Sequence, residues 1–177
     1  MSAKVIRNAL YPDSTVTLAL FRNVDNAKEL RQCVMTGKFE AALLKTSVIM
    51  DPFQVIVAAN RAVHLNKVNK MMTKNVHTEI LFSLSPTKNI SESFRKFGLA
   101  DTDQSVMVAI TDDVDGVVLD SLLTYIQGEL IDVAEVETLA DIPSIKKIYK
   151  ITDAELATCS LSDAVIARIS SKDIVNV

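Results

Sequence analysis

Two runs, TVTLALF at 15–21 and SVMVAIT at 105–111, constrain this chain most. Both are rich in β-branched and apolar residues, and SVMVAIT is apolar on both of its alternating faces. A strand of that kind is central and needs cover above and below. Pro12, Asp13 and Ser14 mark where the first strand begins.

The cover comes from helices, which the intervening sequence signals repeatedly. Asn26 and Glu29 form a capping box for a helix over 27–36, with Leu30, Cys33 and Val34 inward and Gly37 as its left-handed stop. FEAALLK (39–45) reads as a second short helix and SVIM (47–50) as a short buried strand. Asp51 before Pro52 starts a helix running to about Met72, with Phe53, Ile56 and Val57 opening its buried stripe. Residues 75–85 read as a helix through Val76, Ile80 and Leu84, with a strand as the rival because TEILFSL also alternates. Asn89 and Glu92 box the next helix, whose stripe is Ile90, Phe94 and Phe97 and whose Schellman ending falls at Gly98. After 105–111 an Asp-rich turn leads into a helix carrying Val118, Leu122 and Ile126, and 129–141 favours no single element. Helices follow behind Pro143 and at Thr152–Glu155, and Ser160 starts the last one, with Leu161, Val165 and Ile169 four apart.

Helices outnumber strands, and the strands mostly lack βαβ spacing. The expected fold is therefore α/β of the α+β kind, a small antiparallel or mixed sheet wrapped by several helices. At 177 residues and 49% hydrophobic content, one domain spanning 1–177 is expected, burying roughly 70% of its unfolded surface. Four Gly and four Pro leave no flexible linker, and without Trp the core must be aliphatic.

Net charge is −3, but its distribution is uneven. Residues 60–98 hold Arg61, Lys67, Lys70, Lys74, Lys88, Arg95 and Lys96 against Glu79 and Glu92, an excess of +5. Residues 99–141 hold eleven carboxylates and neither Lys nor Arg. Asn60, His64, Lys67, Lys70 and Lys74 recur at helical spacing and share about a third of the circumference at ~100° per residue. A basic face of this kind suits an anionic partner.

Catalytic signatures are missing. Gly37, Gly98, Gly116 and Gly128 fall in no phosphate-cradling pattern, and Cys33, His64, His77 and Cys159 are scattered without metal-ligand spacing. His64 and His77 read as surface imidazoles, Cys33 as a packed side chain, and the Asp-rich stretch as a solvated face. No cofactor is expected, and no run reaches the ~18 apolar residues of a membrane span. Two isolated cysteines without a leader-like segment suit a reducing compartment, the cytoplasm or nucleus.

The phrases DPFQ (51–54), HTEILFSLSP (77–86), NISESFRKFG (89–98), SIKKIYK (144–150) and LSDAVIARISSKD (161–173) resemble the PRPK-binding protein (TPRKB) family. These are small regulatory subunits of the EKC/KEOPS tRNA-modifying complex, and the first nine residues and the acidic stretch match them poorly. The resemblance implies a non-enzymatic α/β subunit that binds a PRPK-type atypical kinase and, through it, the other KEOPS subunits. It also implies support of threonylcarbamoyladenosine modification and contact with tRNA. On that reading, Leu161, Val165, Ile166 and Ile169 with Arg168 at the rim are the kinase-binding candidates. Arg61, Lys67, Lys70, Lys74, Lys88, Arg95 and Lys96 are the RNA-binding candidates. The rival readings are a free-standing RNA-binding domain and a small hydrolase using an Asp cluster.

Overall fold

The computed structural model describes residues 3–175. Strands β1 (Lys4–Arg7) and β2 (Thr15–Arg22) precede helix α1 (Ala27–Met35), and β3 (Ala42–Lys45) leads through a 3-10 turn at Thr46–Val48. Helices α2 (Pro52–Lys67), α3 (Val76–Leu84) and α4 (Ile90–Phe97) come next, then β4 (Ser105–Thr111), α5 (Val117–Tyr125) and β5 (Glu129–Ile131). A 3-10 helix at Val133–Leu139 and helices α6 (Ile142–Tyr149), α7 (Asp153–Leu156) and α8 (Leu161–Ser170) complete the order.

The two apolar runs do pair centrally: β2 and β4 are antiparallel, with Leu18 opposite Ala109 and Leu20 opposite Met107. On the far side of β4 lies β3, giving the order β1-β2-β4-β3, with all pairings antiparallel. Because β4 occupies one edge of β2, the short strands β1 and β5 share the other edge end to end, at Thr15–Leu18 and Leu20–Arg22.

The pleat divides the aliphatic side chains between two cores. Val16, Leu18, Leu20, Leu44, Met107 and Ala109 face a core with α2, α3, α4, α6 and α8, while Ala19, Phe21, Leu43, Val106, Val108 and Ile110 face one with α1 and α5. Each fully buried aliphatic side chain contributes about 1.5–3 kcal/mol. No helix among the described residues is long and apolar enough to cross a membrane.

Local capping follows the sequence closely. Asp51 accepts the Phe53 N–H at 2.7 Å, Asn89 that of Glu92 at 3.0 Å, Thr152 that of Glu155 at 3.3 Å and Ser160 that of Asp163 at 3.0 Å. Gly37, at φ +77°, ends α1 as expected. α3 is a helix rather than the rival strand, boxed by Asn75 and Thr78.

Several expectations are corrected. Residues 42–45 form strand β3 within the expected helix 39–45, because pairing with β4 outweighs the helix propensity of Ala, Leu and Lys. The 47–50 stretch begins as a 3-10 turn rather than a strand. α2 stops at Lys67, five residues early, since Asn69 takes a left-handed φ of 54° and the Lys70 N–H turns back to Leu65 O. Asn26 does not cap α1; its amide donates to Tyr125 O and accepts from Gln127 N, tying α1 to the end of α5. Gly98 has extended rather than left-handed backbone, and the close approach of Phe94 O, 2.6 Å from where a Cβ would stand, is what calls for glycine. The ambiguous 129–141 segment resolves into β5 and a 3-10 helix boxed by Asp132 and Glu135.

Candidate functional site

Helix α8 divides the kinase-binding candidates. Val165 and Ile169 are fully buried and belong to the core against α2 and α6, so they have no surface to offer a partner. Leu161, which opens the same line, and Ile166, beside it, are half-buried. Arg168 is not a free rim cation: its Nη1 and Nη2 donate to Glu155 Oε1 and Oε2 at 2.6 and 2.7 Å, locking α7 to α8. That bidentate contact holds the Glu155 carboxyl below its ordinary range and raises the guanidinium. Phe53, in the first turn of α2, is an exposed aromatic rather than the opening of the buried stripe.

The basic candidates fall into different environments. Lys67 closes α2 with its Nζ 5.3 Å from the centre of the Tyr11 ring, and Tyr11 stacks on His64 with a 2.8 Å bond from its hydroxyl to Nδ1. Lys70 and Lys74 are exposed in the loop before α3, and Arg95 is exposed on α4. Lys96 is paired with Glu92 at 2.5 Å within its own helix. Arg61 faces inward, with Nη1 donating to Ser83 Oγ at 2.8 Å and Nη2 to Asp173 Oδ1 at 2.6 Å. Exposed Lys88 lies near enough to depress the pKa of Lys172.

Lys172 escaped the sequence reading. It is 1% exposed, with its ammonium donating to Phe82 O and lying over the Phe82 ring, 3.3 Å from the centre. Burial first, then the neighbouring Arg61, bring its pKa down to about 7, against Glu79 and Asp173, which raise it. A signal existed: 161, 165, 169 and 172 continue one helical stripe, so position 172 falls on the inward face. Glu79 was also missed. Fully buried, it accepts the Met72 and Thr73 N–H groups and the Thr73 hydroxyl on Oε2, which pins the 68–75 loop to α3.

The two charged segments do not neutralise each other. Among the described residues no ion pair joins 60–98 to 99–141. The acidic side chains serve their own surroundings instead. Asp113 caps α5 at the Val118 and Leu119 N–H groups, Asp112 accepts from Thr15 N, Asp101 pairs with Arg31, and Glu129 pairs with Arg22.

No group of His, Cys, Asp and Glu suited to a metal is present among the described residues. His77 is buried rather than a surface imidazole; its Nε2 accepts the Thr111 N–H at 3.2 Å, and burial lowers its pKa, so the neutral ring serves packing.

The sequence profile described as "Kinase binding protein CGI-121" matches residues 21–173. The chain is 42% identical to "EKC/KEOPS complex subunit TPRKB" of Danio rerio over 93% of its own length and 95% of that protein's. It is 39% identical to "EKC/KEOPS complex subunit cgi121" of Aspergillus fumigatus over 76% of its length and 74% of that protein's. With "EKC/KEOPS complex subunit CGI121" of Candida glabrata it shares 32% identity across 90% of its length and 91% of the relative's. Carried across both core-forming faces of the sheet and through α8, this likeness makes the chain a member of the CGI-121 kinase-binding protein family.

Proposed function

We propose that this chain is a non-catalytic subunit of an EKC/KEOPS complex that binds and regulates a PRPK-type atypical kinase and contacts tRNA, supporting its threonylcarbamoyladenosine modification. The observation that carries the reading is the near full-length likeness to relatives named as subunits of that complex. Turnover belongs to other subunits, and the protein works in cytoplasm and nucleus by presenting surfaces.

For the kinase, the half-buried pair Leu161 and Ile166 supports docking on α8, since apolar groups left partly uncovered gain most from a partner. Purification of the tagged protein from cell extract is expected to recover the kinase and the transferase subunit together. A folded Ile166→Asp variant is expected to lower kinase recovery by about 10-fold or more, the loss expected of a central interface residue. Undiminished recovery removes α8 from the interface.

For tRNA, the exposed cations Lys67, Lys70, Lys74 and Arg95 support a phosphate contact, as none of them is ion-paired among the described residues. Changing all four to Glu is expected to flatten the slope of log affinity against log salt by about three units, at ~0.7 per single-strand phosphate contact. Filter binding across a salt series measures it. An unchanged slope and affinity clear this face.

A further inference from the structure

Arg61 and Lys172 stand together under the turn that follows α8, and their partners differ in kind. Lys172 is satisfied from within by Phe82 O and the Phe82 ring. Arg61, with its side chain 13% exposed, gives Nη1 to Ser83, while Nε and Nη2 address the two oxygens of Asp173 at 3.3 and 2.6 Å. Asp173 itself is 64% exposed. A mostly buried cation thus holds its carboxylate at the protein surface, where ion pairs contribute little. The side of a guanidinium that takes two carboxylate oxygens takes two phosphate oxygens in the same way. The next residue, Ile174, is 88% exposed, so its side chain does little to fasten the turn beyond Asp173.

We infer that the Arg61 guanidinium, backed by Lys172, is an oxyanion site for a phosphate group, closed in this structure by Asp173 acting as the chain's own stand-in. The inference deepens the nucleic-acid reading above: the natural occupant is a backbone phosphodiester of RNA, which displaces the exposed Asp173 carboxylate while Lys172 keeps its seat on Phe82. Free phosphate offers the same oxygens and is the other source. Self-occupation gives the site a built-in threshold, because an anion binds only after displacing the resident carboxylate.

The test uses the full chain as parent, Asp173→Asn, Arg61→Gln and Asp173→Asn with Arg61→Gln. A fluorescent single-stranded oligoribonucleotide is titrated by anisotropy, and inorganic phosphate by thermal shift, with folding verified by circular dichroism. Asp173→Asn keeps the turn's shape but gives up the competing charge, so RNA affinity is expected to rise about 2- to 5-fold, matching the removal of one exposed ion pair. Arg61→Gln is expected to abolish that gain in the double variant. Should Arg61→Gln fold poorly, Arg61→Lys, which keeps charge but not the two-pronged contact, is expected to lose most of the gain as well. Stabilisation of Asp173→Asn by phosphate without RNA binding by any variant keeps the oxyanion site and overturns the tRNA reading. RNA binding that is unchanged by Asp173→Asn, or a gain that survives Arg61→Gln, overturns the site. So does the absence of any response to either probe.

Discussion

Val165→Asp is expected to be severely destabilising, with a urea midpoint far below that of the parent. Val165 is fully buried among the residues that α8 presses onto α2 and α6, and aliphatic groups surround that position. A carboxylate placed there must either stay ionised without a partner or take up a proton, and both choices cost folding energy. Together with the lost valine contacts, about 4 kcal/mol or more is removed, against a typical total of about 5–15 kcal/mol. Far-UV circular dichroism and a urea titration measure the outcome. Ile166→Asp, one position round the helix and half-buried, is expected to cost about 1 kcal/mol and to unfold cooperatively. The contrast decides how interface experiments are read: loss of kinase by Val165→Asp reports a broken core, and loss by Ile166→Asp reports a broken contact. A cooperative Val165→Asp protein with an almost unchanged urea midpoint would refute the packing of α8 described above.

The α8 stripe also shows where sequence reasoning stops. Spacing of four identified Leu161, Val165 and Ile169 as one line, and the structure keeps them so, but spacing has no means of saying which flank meets solvent. Caps were readable wherever their chemistry is local, as at Asp51, Asn89 and Ser160, whose acceptors lie two or three residues from the N–H they satisfy. Asn26 failed because its partners, Tyr125 and Gln127, lie about a hundred positions away. Distance along the chain also hid β1, β3 and β5, strands of three or four residues whose pairing depends on β2 and β4. The basic residues were visible as a composition bias, whereas the Asp173 contact that engages Arg61 depends on α8 delivering its following turn to α2. Charge counts alone carry no such geometry.

Tyr149→Ala is expected to remove about 4–6 kcal/mol, combining the loss of a buried ring with stranded polar groups. Tyr149 is fully buried in α6 and meets Phe97 edge-on, with ring centres 6.0 Å apart. Its hydroxyl donates to Leu84 O at 2.6 Å, the carbonyl that closes α3, and accepts from Gln54 Nε2 at 3.1 Å. Gln54, fully enclosed in α2, also donates to Val48 O and accepts from Met50 N, so one knot joins α2, α3, α6 and the turn after β3. Tyr149→Phe keeps the ring and strands Leu84 O, so about 1–3 kcal/mol is its expected cost. Burial pushes the Tyr149 hydroxyl far above the ordinary tyrosine range. The folded protein therefore keeps a proton that the unfolded chain gives up near pH ~10, and stability falls as pH rises past that point. Above about pH 10 the urea midpoint of the parent is expected to fall relative to that of Tyr149→Phe, a comparison in which the contributions of Lys172 and Tyr125, shared by both proteins, cancel. Equal slopes in the two proteins would mean that Tyr149 ionises freely and that the knot is open to water.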